Sequence, residues 1–343
     1  RALGVVERWA TRWRVVFSVG KCECILFRER RVCIERPFEA RLGGELIPYA
    51  KELRYLGVWF DEGLTWRRQI QEVTSRAKAR IMLLRRLGGR DWGLDPYLFL
   101  RLVRGVILPL MLYGAQCWAS VLCSSTKLGA LDSVLACMAL MAFRLERTTS
   151  VETALALVGI AQARLQIMRH LSRYYLRRHR AALPGPLGGE DRRTRVTSLE
   201  LASAWFHRSV LGKTVSDPLP RRRSVVCAGI DRALEAQWQS RWCHSETGSA
   251  LREALPRVGE PWTPMDATRA SSWDVSLAAR FLTGHCHLAD FSLPWDEDEL
   301  SPCPWCGEIF TREHMIWYCR ELDRERALLL RRVGCETVGD LQQ

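Results

Sequence analysis

Residues 303–319 read Cys303-Pro-Trp-Cys306-Gly-Glu-Ile-Phe-Thr-Arg-Glu-His314-Met-Ile-Trp-Tyr-Cys319. Three thiols and one imidazole fall at the spacing C-x2-C-x7-H-x4-C, a donor set that suits tetrahedral Zn²⁺. The C-x-x-C turn brings two sulfurs together with little loop to close, and Gly307 lets the backbone reverse directly after the second. The other two ligands, His314 and Cys319, come from the returning segment. Four protein ligands leave no open coordination position, so the expected site is structural or a recognition element, not a hydrolytic centre. The competing reading is a set of buried or free cysteines beside a surface histidine.

Working outward, the 343 residues are enough for two or three domains, and 48% hydrophobic with 26% charged residues describes a globular chain rather than a disordered one. The charge balance is unusual. Net charge is +13, and among the 51 basic residues the only lysines are Lys21, Lys51, Lys78, Lys127 and Lys213. The planar arginine fork matches phosphate oxygens, so this bias favours a nucleic-acid partner; a GC-rich gene would inflate arginine as well. Thirteen cysteines without a secretory leader imply reduced thiols and an intracellular protein of cytoplasm and nucleus. The best uninterrupted apolar run, 106–113, is short and carries Pro109, so no membrane span is expected. The first residue is Arg1 rather than Met, which suggests a fragment or a processed product.

Residues 1–60 read as mixed structure. A helix ends near Trp13, strands are expected at 15–17 and 22–27, and 32–34 is expected to pair with 45–47 across Gly43-Gly44. Residues 54–60 read as one strand interrupted by Gly57. Helices follow. Ile70, Val73, Ala77, Ile81, Leu84 and Leu87 form one stripe over 66–87, and Gly88-Gly89 ends it. Asp95-Pro96 opens a second helix through Tyr113, kinked at Pro109. A third starts near Ser125, and Thr149-Ser-Val-Glu152 is a capping box for a fourth. A basic fifth spans 161–180. The run Leu183-Pro-Gly-Pro-Leu-Gly-Gly189 marks a linker over 183–195, with helices at 196–210, 226–243 and 321–332 beyond it.

Several patterns are decoys. No Asp-Asp pair exists to hold two catalytic metals. Asp296–Glu299 lies between prolines as a solvated loop, and Gly212-Lys213-Thr214 lacks the first glycine of a phosphate-binding loop. His285 and His287 alternate with Cys286, and neighbours on an extended segment point to opposite sides. The arginine rows Arg76 and Arg80, Arg85 and Arg86, and Arg173 and Arg177 fit a phosphate backbone or an ordinary solvated face. Fourteen tryptophans fit base stacking or core packing.

The order of the pieces narrows the choice. Trp9 … Phe17-Ser18-Val-Gly-Lys21 … Phe27, Tyr55-Leu-Gly57-Val … Thr65-Trp66 … Ile70, Val106-Ile-Leu-Pro109 … Tyr113-Gly114 … Trp118, Leu157-Val-Gly-Ile160, Trp238-Gln … Trp242, Leu282-Thr-Gly284-His285 and the terminal C-x2-C-x7-H-x4-C are collinear over nearly the whole chain. Together they resemble the late palm and thumb of reverse transcriptases from non-LTR retrotransposons, most closely arthropod type-1 retrotransposable elements. That resemblance implies an α+β fold. It would comprise a partial palm at 1–62, an all-α thumb at 63–182, the linker, and a helical C-terminal domain at 196–343 with the CCHC zinc cluster.

By the same resemblance, Lys21 would approach the phosphates of an incoming nucleotide, and Tyr55, Leu56 and Gly57 would form the primer grip. Arg76, Arg80, Arg85, Arg86, Arg173 and Arg177 would lie on the template–primer backbone. Cys303, Cys306, His314 and Cys319 would bind structural zinc and help grip element RNA or target DNA. The parent would be an RNA-directed DNA polymerase with an endonuclease. Its Mg²⁺ site and Ala-Asp-Asp strand are absent from this chain and expected upstream, on the missing N-terminal part of the same polyprotein. The alternative from another class is a stand-alone zinc-containing nucleic-acid-binding protein; a helical interaction scaffold is a third.

Overall fold

Helix α1 (Ala2–Trp13) opens the computed structural model, which describes residues 2–27, 39–87, 94–180, 223–262, 271–284, 302–311 and 313–333. A single helical turn at Val19–Lys21 follows it. The strand expected at 15–17 is irregular, with Val16 94% exposed. The one expected at 22–27 reduces to a lone parallel bridge between Cys24 and Tyr49. Alternation alone does not make a strand where only one residue finds a partner.

Two small antiparallel hairpins come next. β1 (Arg41–Leu42) pairs with β2 (Glu45–Leu46), reversing at Gly43 (φ +62°) and Gly44 (φ +85°), a left-handed pair that glycine adopts freely. The Gly-Gly turn is where the sequence places it; the strand across it is 41–42, and 32–34 lies outside the described residues. β3 (Glu52–Tyr55) pairs with β4 (Val58–Asp61), so the expected single strand 54–60 folds back on itself. Leu56 (φ +46°) and Gly57 (φ +84°) form its turn. A left-handed leucine costs about 1–2 kcal/mol, and the Tyr113 hydroxyl holds it there by donating to the Leu56 carbonyl at 2.9 Å.

Asp61 then launches α2 (Arg67–Arg85) by accepting from the backbone of Thr65 (2.8 Å) and Trp66 (2.7 Å). Ile70, Val73, Ala77 and Ile81 are buried as the stripe requires. Asp95 caps α3 (Pro96–Leu112), accepting from Tyr97 and Leu98. Gly114 (φ +66°) turns the chain into α4 (Ala115–Trp118), where an added Cβ would meet Val58 at 2.6 Å.

α5 (Ser125–Ala142) is the core. Leu131, Val134, Leu135 and Met138 are fully buried, and α5 packs against α2, α3, α6 (Val151–Leu157) and α7 (Ala163–Arg180). Among the described residues, α5 is the one helix long and apolar enough to cross a membrane; the sequence reading expected none. Its neighbours account for its composition. The cap of α6 is Ser150, accepting from Thr153, and not Thr149; Glu152 instead accepts from Gln162 and Ser245.

Helix α8 (Arg223–Cys243) lies on α7 and buries Val226, Ile230, Leu234, Trp238 and Trp242 in the same core. Short α9 (Ser249–Ala254) and α10 (Ser272–Leu282) follow, the latter with a capping box between Ser271 and Asp274. A π-helical turn, His314–Tyr318, and α11 (Asp323–Val333) complete the described chain. The expected linker 183–195, the helix 196–210 and the decoys at 212–214, 285–287 and 296–299 fall outside the described residues.

Gly159 ends α6 at φ +61°, and a Cβ there would sit 2.5 Å from the backbone of Glu260 and Pro261. Trp262 donates to Leu157 beside it (2.8 Å). Gly159→Ala is therefore expected to cost roughly 1–3 kcal/mol of stability. A urea-unfolding midpoint equal to that of the parent would contradict this packing.

Candidate metal centre and basic faces

The metal-ligand spacing folds into a hairpin closed by backbone hydrogen bonds. Cys303 N donates to Glu308 O (2.6 Å), Gly307 N donates to Cys303 O (2.8 Å), and Pro302 bridges Ile309. Gly307 makes the turn at φ +82°. The chain then returns through the π-helical turn, where Cys319 N donates to His314 O at 2.6 Å. The sulfurs of Cys303, Cys306 and Cys319 and a ring nitrogen of His314 all come within 4.8 Å of one another. The Cys303–Cys319 sulfur separation is 3.8 Å, the edge of a tetrahedron with metal–sulfur bonds of about 2.3 Å. His314 Nε2 faces Cys306 Sγ at 3.0 Å.

These four groups can hold a metal ion. Cys303, Cys319 and His314 are buried, while Cys306 is on the surface. Burial pushes the Cys303 thiol up, but the backbone N–H groups of Cys306 and Trp305 and the facing Cys306 and His314 side chains outweigh it and bring the thiol to about 6. At Cys306, the Glu308 N–H works downward. Desolvation and the neighbouring sulfurs of Cys303 and Cys319 oppose it and carry the thiol up to about 11. One sulfur is thus ready as thiolate at neutral pH, and its neighbour holds a proton that a cation would displace.

Two supports around the cluster were not legible from ligand spacing. Glu308 Oε2 lies 3.1 Å from His314 Nδ1, which directs Nε2 inward. Arg326 of α11 donates to the carbonyls of Ile316 and Cys319, both at 2.7 Å, and pairs with Asp323. The π turn is therefore tied to the last helix through a guanidinium. Trp305 packs edge-on against Phe310 at 5.7 Å.

The remaining expected residues occupy four places. Lys21 is exposed at the end of the 19–21 turn. Tyr55, Leu56 and Gly57 form the tip of the β3–β4 hairpin, with Leu56 73% exposed. Arg76, Arg80 and Arg85 line the outer side of α2, Arg76 paired with Glu72 at 2.6 Å; Arg86 follows at its C-cap. Arg177 is exposed on α7, but Arg173 is engaged: its guanidinium makes two bonds to Asp231 of α8, at 2.9 and 2.7 Å, beside Arg169 at 3.1 Å. The structure does not bring these groups and the Cys/His cluster into one site.

No family model matches the sequence, and no solved structure matches it. Among known proteins, the Pol polyprotein of type-1 retrotransposable element R1 4 of Nasonia vitripennis is 24% identical over 292 residues, 83% of this chain and 64% of that protein. The Pol polyprotein of type-1 retrotransposable element R1 of the same wasp is 24% identical over 313 residues, 88% of this chain and 81% of that one. The RNA-directed DNA polymerase from mobile element jockey of Drosophila funebris is 32% identical over 79 residues, 23% of this chain and 8% of that protein.

Two outcomes follow for the cluster. Metal uptake near pH 7 should release a proton from Cys306, and affinity, already falling with pH for that reason, should fall more steeply below about 6, where Cys303 becomes protonated. Calorimetry in buffers of differing ionisation enthalpy measures the release, and a buffer-independent heat would refute it. Glu308→Gln, removing the partner of His314, should weaken metal binding by roughly tenfold, the low end for an outer partner because Glu308 is largely exposed.

Proposed function

From the homology of this chain, over most of its length, to Pol polyproteins of arthropod R1 elements, we propose that it is the C-terminal part of a non-LTR retrotransposon reverse transcriptase. In this reading residues 1–62 finish the palm, 63–182 form the thumb, 183–195 link, and 196–343 form a C-terminal domain carrying structural zinc. The whole protein would copy element RNA into DNA at a nicked target, with an endonuclease elsewhere in the polyprotein. The collinear homology carries the proposal.

Chemistry on the chain supports each role. The hairpin tip at Tyr55-Leu56-Gly57 is exposed, and the Tyr113 hydroxyl braces it from behind, as a support for a primer end requires. α2 offers Arg76, Arg80, Arg85 and Arg86 to a phosphate backbone, contacts that position a nucleic acid without reading its sequence. Lys21 is exposed, as a side chain that meets an incoming phosphate must be. The Cys3His set is closed, so zinc there would pin the tail and hydrolyse nothing.

The N-terminal segment favours this over a stand-alone binding protein. Val5, Trp9, Trp13, Val16 and Phe27 are all exposed, an apolar surface suited to packing against more protein, which this reading supplies as the rest of the palm. The catalytic carboxylate pair and its Mg²⁺ would lie there, since the 343 residues contain no Asp-Asp.

Filter binding of a labelled RNA–DNA hybrid over a salt series, with zinc quantified by mass spectrometry, tests the proposal. About one zinc per chain and a steep fall of affinity with salt are expected. The chain alone should incorporate no deoxynucleotide with Mg²⁺. A flat salt response would remove the nucleic-acid role, and incorporation by the purified chain would overturn the division of labour.

A further inference from the structure

The C-terminal end of α2, α5, the 144–147 turn and α10 enclose a cavity of about 770 Å³, apart from both the Cys/His cluster and the hairpin tip. That volume falls within the range of roughly 300–1,000 Å³ for small-molecule sites. Its floor is apolar, with Phe99, Met141 and Leu145 beneath and Met82 at the mouth. Its walls carry four arginines, Arg85, Arg144, Arg147 and Arg280, against one carboxylate, Glu146.

The two sides of the cavity differ in how their arginines are partnered. Arg280 is fixed, donating through Nε to Arg144 O at 2.7 Å, lying 3.6 Å from Glu146 and standing 5.9 Å from the centre of the Trp273 ring. This guanidinium–indole pair makes one wall a planar, polarisable surface. Arg85 and Arg147 are exposed, and among the described residues neither has a carboxylate at ion-pair distance. A second groove of about 650 Å³, lined by Ala79, Met82, Leu83, Arg85 and Arg86, shares Met82 and Arg85 with the first. The two make one path along the last turns of α2.

We infer that this path holds an unpaired stretch of single-stranded nucleic acid, with one base in the cavity and its flanking phosphates on Arg85, Arg86 and Arg147. The inference rests on the nucleic-acid reading above and adds strand state and place to it. Cations at the rim answer phosphates, while the apolar floor and the Arg280–Trp273 wall answer the faces of a base. A base inside a duplex is already stacked and cannot enter a concave pocket without leaving its partner. An acidic peptide would satisfy the rim and leave the floor empty.

Fluorescence anisotropy with a labelled twelve-nucleotide single strand, and with the matching duplex, tests this on the full chain. Arg85→Glu with Arg147→Glu should weaken the single strand by about tenfold or more and lower the salt slope by about 1.4, the value for two lost phosphate contacts. Arg232→Glu with Arg257→Glu, the same charge change at exposed sites on α8 and the 255–262 segment, should do much less. Arg85→Ala with Arg147→Ala should lie between, and unchanged melting confirms the fold. Equal losses from the two glutamate pairs, or equal loss for strand and duplex, would overturn the site while leaving the binding role intact. Absence of any nucleic-acid binding by the parent chain would instead overturn the reading on which it rests.

Discussion

A helix apolar enough to cross a bilayer is stable in water only where other helices cover it, and α5 is covered by four. Everything else in the helical body follows from meeting that requirement. α2, α3, α6 and α7 must each turn an apolar stripe inward, which sends their charged residues to the opposite faces. The excess of arginine therefore has few places to go. Some guanidiniums are spent on carbonyls at helix ends: Arg104 on Val158 and Gly159, Arg164 on Leu122, Arg252 on Trp242 and Ser245. Burial lowers the pKa of Arg104 as its charge leaves water. Others, among them Arg80, Arg85 and Arg177, remain outside.

The Cys/His segment lives under a different constraint. It contains one short backbone bridge, a π turn and one edge-on aromatic pair, too little apolar burial to hold a fold by itself. A tetrahedral ion would supply the missing cohesion, and Arg326 passes it to α11 by bonding both carbonyls of the ligand-bearing turn.

What the sequence revealed and concealed follows from the range of each interaction. The cluster was legible because its four ligands lie within seventeen residues and coordination chemistry fixes their types. The stripe of α2 and the Asp95-Pro96 start of α3 were legible because helices repeat locally. The β3–β4 hairpin was misread as one strand because its turn places a leucine in the left-handed region, a conformation held by the Tyr113 hydroxyl, fifty-seven positions away. The engagement of Arg173 was invisible for the same reason, since Asp231 lies fifty-eight residues on. Ser150 displaced Thr149 as the α6 cap because Glu152, the supposed partner in the box, is drawn to Ser245 and Gln162.

Counting arginines therefore overstates the surface available to a polyanion, and the useful question is which guanidiniums the fold leaves in water. On α7, Arg169 and Arg173 neutralise Asp231 and so bind α8 to the body, while Arg177 beyond them is exposed. On α2 the neutralisation is slight: Arg76 has Glu72, whereas Arg80, Arg85 and Arg86 have no carboxylate partner among the described residues. Arg80, Arg85 and Arg86 thus leave free positive charge toward the C-terminal end of α2. There it meets Met82 and Leu83, exposed apolar side chains that phosphates alone would not need. Charge and exposed apolar surface at the same helix end call for a ligand with both characters, and a nucleic-acid strand with its bases unstacked has both.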